Sequence, residues 1–266
     1  MCLFTRPVEN VSDTNIFARA VGPRQILVYE MAYAALGELA MVLPLPVEPG
    51  AGEDALKFIP LDECAGFFAQ LREGFPVRRD PRFESMTLGA TVELSRTLRV
   101  QEVGDFEASF VPTPEDFGRL DERFRLPLDL WLRLNDYRDW GFAVFKLKAA
   151  AGGKRVHPMA LEFPRRDAKR LFFPTLHIHS GQLEPMAHFD HTLYLQPEPA
   201  MNWYLQGWEE SYAPAVAFVK CMQGEALFDL ARPVWRAKVK GRHENADVWL
   251  GPGSRPLPKS RALDIA

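Results

Sequence analysis

The 266-residue sequence is poor in cysteine, and its three cysteines form no recognisable motif. Cys2, Cys64 and Cys221 lie far apart, and no C-x-x-C pair occurs. A small disulfide-rich secreted domain would carry an even number of cysteines at close spacing. The sequence therefore predicts a protein without a disulfide framework in a reducing compartment, which we take to be the cytoplasm.

Long apolar runs and an excess of one charge are also absent. No run of 18 apolar residues occurs and residues 1–30 lack a secretory apolar core, so we expect neither a membrane span nor export. The 32 basic and 35 acidic side chains give a net charge of −3, without the basic stripe typical of nucleic-acid binding. P-loop, G-x-G-x-x-G, G-x-S-x-G and H-E-x-x-H motifs are missing. The sequence predicts no nucleic-acid or membrane partner and leaves the oligomeric state open.

What the sequence does contain is an ordinary globular composition, 47% apolar and 25% charged, with 22 prolines that indicate many short elements. Segments 14–20, 24–32 and 38–47 are rich in strand-forming residues and are separated by turns, which predicts a β-meander. No repeat or long linker divides the chain. We predict an α+β fold, with mainly antiparallel sheets and a few helices packed on one side. We expect one domain over residues 1–250 and a loose tail over 251–266.

Helical spacing and start signals predict four helices further along the chain. The clearest start is Thr113, a capping hydroxyl followed by Pro114 and two acids. The predicted helices cover about residues 62–72, 114–124, 127–137 and 209–222. The remaining strand-like segments are 87–110, 142–147, 156–163, 233–240 and 246–250. The last two of these are predicted to form a hairpin.

The densest chemical feature is a histidine cluster. Four of the six histidines lie between His177 and His191. A loop containing glycine and proline separates two strand-like segments, 171–179 and 188–195, and this pattern predicts an antiparallel hairpin. Neutral imidazole is the commonest metal ligand and titrates near neutral pH, so such a cluster indicates a chemical role.

The hairpin register predicts which side chains share a face. In a hairpin closed around this loop, His179 lies opposite His188. The same register places His177 opposite Asp190. Because strand side chains alternate, these four share one face and His191 lies on the other.

Three imidazoles and a carboxylate on one face predict a site for a divalent metal such as zinc. Such a metal would lower the pKa of a bound water towards ~7, and Glu184 or Asp190 would relay protons in a metal-assisted hydrolysis. The alternative is a solvated polar face with a structural role and no metal. No other cofactor is indicated.

The start of the chain suggests a second chemistry. Removal of Met1 would free an α-amino group beside the Cys2 thiol, where the amine can act as a base. The opening Met-Cys-Leu-Phe, followed by Thr-Asn-Ile-Phe-Ala and Arg19, resembles N-terminal-nucleophile cysteine hydrolases of the bile-salt and penicillin-amide branch. That resemblance implies a metal-free amidohydrolase with Cys2 as nucleophile and Arg19 in the site. The Asn-x-Asp segment that follows the arginine in that family is replaced here by Ala20-Val21-Gly22.

A further resemblance covers about residues 1–70. The opening Cys2-Leu-Phe4, the strand from Arg24 to Tyr33 and the segment Ala40-Met-Val-Leu-Pro-Leu-Pro46 are similar to a bacterial family of uncharacterised proteins. That similarity implies no known activity.

An aromatic run provides the third hypothesis. Trp203, Tyr204, Trp208 and Tyr212 have spacings that fit one helix face, which favours packing in the core. If exposed, the same run would form the contact surface of a non-enzymatic binding or interaction protein. A small-molecule or peptide ligand is compatible with either interpretation. The sequence alone thus leaves open whether the protein is a metal-assisted hydrolase, a cysteine amidohydrolase or a binding protein.

Overall fold

The computed structural model describes residues 2–61, 64, 66–76, 106–126, 130, 133–179, 181–221 and 227–257. Of these residues, 43% lie in strands and 16% in helices. The strands are β1 (Cys2–Phe4), β2 (Asn10–Val21), β3 (Arg24–Ala35), β4 (Leu39–Leu45), β5 (Lys57–Ile59), β6 (Phe106–Val111), β7 (Gly141–Leu147), β8 (Ala150–Arg155), β9 (Met159–Pro164), β10 (Leu171–Phe173), β11 (His177–Ile178), β12 (Met186–Gln196), β13 (Glu209–Glu210), β14 (Trp235–Glu244) and β15 (Val248–Leu250). The helical segments are α1 (Phe67–Glu73) and the 3-10 turns Glu53–Ala55, Pro114–Arg119, Glu122–Phe124, Asn135–Tyr137, Pro199–Tyr204 and Ala215–Ala217.

The strands form two large sheets and one small one. The first large sheet has the order β11-β1-β4-β7-β6, and the second has the order β13-β14-β12-β2-β3-β9-β5, with β8 also paired to β3. Strands β10 and β15 pair separately. Both large sheets are mixed, because β1 runs parallel to β11 and β12 runs parallel to β2. The prediction of an α+β fold with mainly antiparallel sheets is therefore wrong: the protein is β-rich. The two parallel pairings join segments far apart in the chain, which local patterns cannot reveal.

The two large sheets pack face to face around the main core. Ile16 and Tyr29 of one sheet and Met41 and Phe145 of the other belong to the same buried cluster. The outer face of the β2–β3 sheet is covered by α1 and by residues 215–221 and 227–234. The outer face of the β4–β7 sheet is covered by 3-10 turns. The prediction that helices pack on one side is wrong, since helical segments cover both outer faces.

Burial on both faces explains the apolar runs that marked the first strands. Every residue of β4 is buried, and so are most residues of β3. Such strands read as continuous hydrophobic segments. The strands predicted over 14–20, 24–32 and 38–47 are confirmed, but the meander is wrong. Strand β4 leaves the sheet of β2 and β3 and pairs with β1 and β7 in the other sheet.

Of the helix predictions, the first is confirmed and the second is wrong. Phe67, Phe68 and Leu71 of α1 are buried, and the helix ends at Gly74 as predicted. After Thr113 the chain forms a 3-10 helix that stops at Arg119, so the longer predicted helix is wrong. Within the predicted helix 127–137, Leu130 is helical and a 3-10 turn follows at Asn135–Tyr137, while residues 127–129 and 131–132 lie outside the described residues. Most of the strand-like segment 87–110 lies outside the described residues.

The helix predicted over 209–222 is wrong. Residues 209–210 form the short strand β13, and a 3-10 turn follows at Ala215–Ala217. The reason is Pro214, which lacks a backbone N–H and breaks an α-helix from within. The remaining residues of the predicted helix either lie in loops or, from 222 onwards, fall outside the described residues.

A disulfide joins Cys64, just before α1, to Cys221, and their Cα atoms lie 5.0 Å apart. Both residues belong to the buried cluster on the outer face of the β2–β3 sheet. The structure therefore contradicts the premise that the scarce, widely spaced cysteines remain unpaired, and with it the cysteine argument for a reducing compartment. In the part of the chain that the structure describes, no helix is long and apolar enough to cross a membrane.

Candidate functional site

The histidine segment does not form the predicted hairpin. Strand β11 pairs with β1, so that Cys2 lies in register with His177. Strand β12 pairs with β14 on one side and with β2 on the other, where His191 lies opposite Thr14. The predicted hairpin between 233–240 and 246–250 is also wrong, because β14 pairs with β12 and β13 whereas β15 pairs with β10. In both predicted hairpins, the two strands do not pair with each other, and each pairs with other strands instead.

Three histidines nevertheless meet, at the junction between the two large sheets. The Nδ1 atom of His177 lies 3.1 Å from the Nε2 atom of His179. The ring of His177 also lies edge-on to the ring of His191, with centroids 4.7 Å apart. Phe4 and Phe189 pack against these rings. We call His177, His179 and His191 the histidine triad.

The triad differs from the predicted ligand set because the other face of β12 points inward. Phe189 and Leu193 are buried, and His191, which lies two residues from each and shares their face, is buried with them at 1% exposure. His188 is therefore exposed on the opposite face. Asp190 lies on that face too and accepts a hydrogen bond from the backbone N–H of Asp13.

Asp190 is engaged in a surface ion pair and not in a ligand set. Its Oδ1 lies 2.7 Å from the Nζ of Lys240. The hydrogen bond from Lys240 lowers the pKa of Asp190 below its ordinary value. The structure thus keeps His188 and Asp190 apart from His177 and His179. No group of three or more His, Cys, Asp or Glu side chains is arranged to hold a metal ion within the described ranges. The zinc site stays a prediction from sequence.

The electrostatics of the triad are those of a neutral cluster. Burial lowers the pKa of His191 to about 3 and that of His179 to about 4. Burial lowers the pKa of His177 as well, reinforced by His191 and His179. The Nε2 atom of His177 and both ring nitrogens of His191 are buried without a hydrogen-bond partner among the described residues. Such rings are poorly suited to proton transfer near neutral pH.

The remaining predicted site residues lie apart. Cys2 pairs through its backbone with His177, at the same end of the molecule as the triad. Arg19 lies five residues beyond Thr14 on β2, about 16 Å along the strand from the position opposite His191. No contact between Cys2 and Arg19 is found among the described residues, which gives the amidohydrolase hypothesis no support.

Glu184, the predicted proton relay, is exposed. Its backbone carbonyl accepts a hydrogen bond from Asn245, whose side chain also binds the backbone of His177. The main chain at Glu184 is thus tied to the triad's strand, while its carboxylate is on the surface.

The aromatic run is largely exposed. Trp203 is 91% exposed and Tyr212 is 62% exposed, whereas Trp208 is 8% exposed. The core-packing interpretation is therefore wrong for Trp203 and Tyr212. Trp203 lies in the 3-10 helix Pro199–Tyr204 and not on an α-helix, so the helical spacing had no structural meaning.

Trp203 stands at the rim of a cleft with a volume of about 710 Å³. We call this cleft the aromatic cleft. Its lining includes Trp203, Tyr204, Trp208, Lys238, Trp249 and Leu257. The Nε1 of Trp208 and the Oγ of Ser254, another lining residue, are buried without a hydrogen-bond partner among the described residues. Trp208 is held from behind by Phe173, whose ring centroid lies 5.8 Å away.

Sequence reasoning missed most of this cleft, since its walls come from three separate parts of the chain. One wall is formed by residues 203–208, one by Lys238 and its neighbour Ala237 on β14, and one by 249–257. The last includes the start of the predicted loose tail, which is anchored there by an ion pair between Arg255 and Glu244 at 2.6 Å. Residues 258–266 of that tail lie outside the described residues. The only available signal was the density of aromatic residues in 203–212.

No family model matches the chain. Among solved structures, the chain is similar to baculovirus P35, with a TM-score of 0.46 and 12% identity over 95% of this chain and 98% of that one. It is similar to P35 in a caspase-8/P35 complex, with a TM-score of 0.39 and 10% identity over 90% of this chain and 96% of that one. It is also similar to a putative nutrient binding protein from Legionella pneumophila, with a TM-score of 0.37 and 10% identity over 93% of this chain and 68% of that one. Similarities at this level do not transfer a function, which has to be argued from the site.

Proposed function

We propose that this protein is a non-enzymatic binding protein whose aromatic cleft takes an extended peptide segment of a partner protein. The observation that carries the proposal is Trp203, which is 91% exposed at the rim of the cleft. A tryptophan ring in water forgoes most of the stabilisation that its burial would give. Tryptophan and tyrosine dominate the few residues that supply most binding energy at protein interfaces.

The cleft has the size and composition of a recognition site. Its volume lies within the range of about 300–1,000 Å³ that is typical of ligand sites. Aromatic-lined grooves recur in peptide recognition, where ring faces pack on extended apolar segments. The buried indole N–H of Trp208 is a donor that a carbonyl oxygen of a peptide would satisfy after a small shift of the rim.

The charges around the cleft favour an acidic segment. Lys238 lines the cleft and is exposed, and no ion pair to it occurs within the described residues. The other cation of the lining, Arg255, is already paired with Glu244. A carboxylate of the partner would therefore meet Lys238 without displacing an existing ion pair, and complementary charge is what selects a partner at such a rim.

The same lining argues for binding over catalysis. Its titratable side chains are Tyr204, Lys238 and Arg255. None of these is a histidine or a carboxylate, the side chains that most often transfer protons near neutral pH. In the histidine triad, His177 and His191 are buried and His179 is partly buried, and none of the three lines this cleft.

The proposal can be tested with a displayed library of random octapeptides selected on the full-length protein. We expect enrichment of peptides that combine apolar and acidic residues. The most enriched octapeptide should bind Trp203→Ala at least tenfold more weakly than wild type, because truncating a tryptophan that packs on a bound partner can cost more than about 1.4 kcal/mol. Fluorescence anisotropy of the labelled octapeptide measures this loss.

Tyr212→Ala is the matched control, since Tyr212 is also an exposed aromatic residue but lies outside the cleft lining. It should bind the octapeptide as wild type does. Equal losses in both variants, or a library that yields no enriched peptide, would contradict the proposed function.

A further inference from the structure

The edge of the second large sheet is open beside the aromatic cleft. Strand β13 ends that sheet, and it pairs with β14 only at Trp235 and Arg236. Strand β14 continues to Glu244 and pairs with β12 on its other side along this whole length. No described strand covers the outer edge of β14 beyond Arg236. An uncovered edge presents unpaired backbone groups and is a template for pairing with another chain.

Two hydrogen bonds show which residues of β14 face this edge. On the β13 side, the N–H of Ser211 donates to the carbonyl of Val234 at 2.8 Å. On the β12 side, the N–H of Asn245 donates to the carbonyl of Pro185 at 2.9 Å. In an antiparallel ladder both backbone groups of one residue point to the same side, and the side alternates. Even-numbered residues of β14, including Lys238, therefore point their N–H and C=O groups towards the open edge.

The open backbone at Lys238 lies in the cleft itself. Continuing the β13–β14 register would place Gly207 opposite Lys238, but Gly207 has a φ of +87° and turns the chain away. Both Gly207 and Lys238 line the cleft. At Lys240, the next even residue, the carbonyl already contacts the Nε2 of His243 at 2.7 Å. The open stretch of edge is therefore short and centred on Lys238.

We propose that the partner segment extends this sheet, as a short added strand hydrogen-bonded to the backbone of Lys238. The inference rests on the proposed function and specifies how the aromatic cleft holds its peptide. Backbone hydrogen bonds supply affinity in this mode and side-chain pockets supply specificity. Trp203 then packs on an apolar side chain of the added strand.

The charge on this edge identifies the occupant as an acidic segment. Lys238 and Arg242 are exposed on the same face of β14, and no ion pair to either occurs among the residues described. Lys240 between them is neutralised by Asp190. Opposite charges on adjacent strands stabilise their pairing, whereas like charges oppose it. A second copy of this chain, which would bring the same cations to the edge, is therefore disfavoured as the added strand.

The test compares the most enriched octapeptide with versions methylated at one backbone nitrogen at a time. Methylation removes a donor and leaves the side chains unchanged. We expect one or two positions at which binding weakens at least tenfold, with the other positions tolerant. Lys238→Glu should also weaken binding of an acidic octapeptide about tenfold. Lys57→Glu is the matched control, because Lys57 is an exposed lysine on β5, at the other end of the same sheet.

The outcomes separate the two proposals. Uniform tolerance of methylation, with binding still lost in Trp203→Ala, would overturn the added strand and leave the binding function intact. Equal weakening by Lys238→Glu and Lys57→Glu would likewise remove the assignment of the edge. A library without enriched peptides would overturn the binding function and this mode together.

Discussion

Reducing the disulfide between Cys64 and Cys221 is expected to lower the free energy of unfolding by about 5 kcal/mol. The bond closes a loop between residues 157 apart in sequence. Cross-linking restricts the unfolded chain more as the loop lengthens, and a loop of this length is worth about 5 kcal/mol in the chain-entropy model. Because the total stability of a domain is about 5–15 kcal/mol, such a loss leaves the reduced protein close to unfolding.

Urea denaturation of wild type with and without a thiol reductant measures this loss. The double variant Cys64→Ala, Cys221→Ala provides the control, since it should match reduced wild type and should not respond to the reductant. A thiol titration of the unfolded, unreduced protein should find one free thiol. Three free thiols in protein purified without reductant, or an equal effect of reductant on the double variant, would contradict the prediction.

This disulfide shows where a cysteine count misleads. Spacing in the sequence suggested no framework, because Cys64 and Cys221 lie in separate parts of the chain. The fold brings them together on the outer face of one sheet, where α1 and residues 218–221 pack. Structural disulfides persist in oxidising compartments, so the bond removes the basis for placing the protein in a reducing one.

Local patterns predicted elements better than they predicted partners. The apolar runs of β2, β3 and β4 mark strands correctly because segments buried on both faces of a sheet are rich in apolar residues at consecutive positions. The buried face of α1 was readable because Phe67, Phe68 and Leu71 fall at helical spacing. No pattern within one strand states which strand it pairs with. The parallel pairs β1–β11 and β2–β12 therefore had no signal in the sequence, and the predicted hairpins failed at this step.

The predicted hairpin register and the helix predicted over 209–222 were wrong because strand parity and proline were not used. Phe189, Leu193 and Leu195 are apolar residues at alternate positions of β12, and His191 shares their parity, which places it in the core. Pro214 similarly excluded a helix through 209–222. The open edge at Lys238 was beyond prediction, since it depends on where β13 ends and on the turn at Gly207.

Lowering the pH from 7 to 5 is expected to destabilise the protein steeply through the histidine triad. Burial holds the pKa of His191 at about 3 and that of His179 at about 4, and it lowers the pKa of His177 as well. In the unfolded chain these histidines titrate near 6.5. The stabilisation from keeping them neutral is thus complete above pH 6.5. It is lost as the pH falls below 6.5, because only the unfolded chain then binds protons.

The size of this loss of stability follows from the number of histidines that the fold keeps neutral. Each contributes up to about 1.4 kcal/mol per pH unit between its unfolded and folded pKa values. Three groups give a slope of about 4 kcal/mol per pH unit below pH 6. Urea midpoints at pH 7, 6 and 5 measure it. A total slope below about 1.4 kcal/mol per pH unit would show that the rings are not held neutral together.

His191→Leu separates this account from a ligand role for the triad. Both ring nitrogens of His191 are buried without a partner among the described residues, so replacing the ring by an apolar side chain should not lower stability at pH 7. It should reduce the pH slope by about one third. Phe189→Leu is the control, because Phe189 packs on the rings of His177 and His191 but does not titrate. It should lower stability equally at pH 7 and pH 5. A marked loss of stability in His191→Leu at pH 7 would instead indicate that these nitrogens bind a group in the native protein.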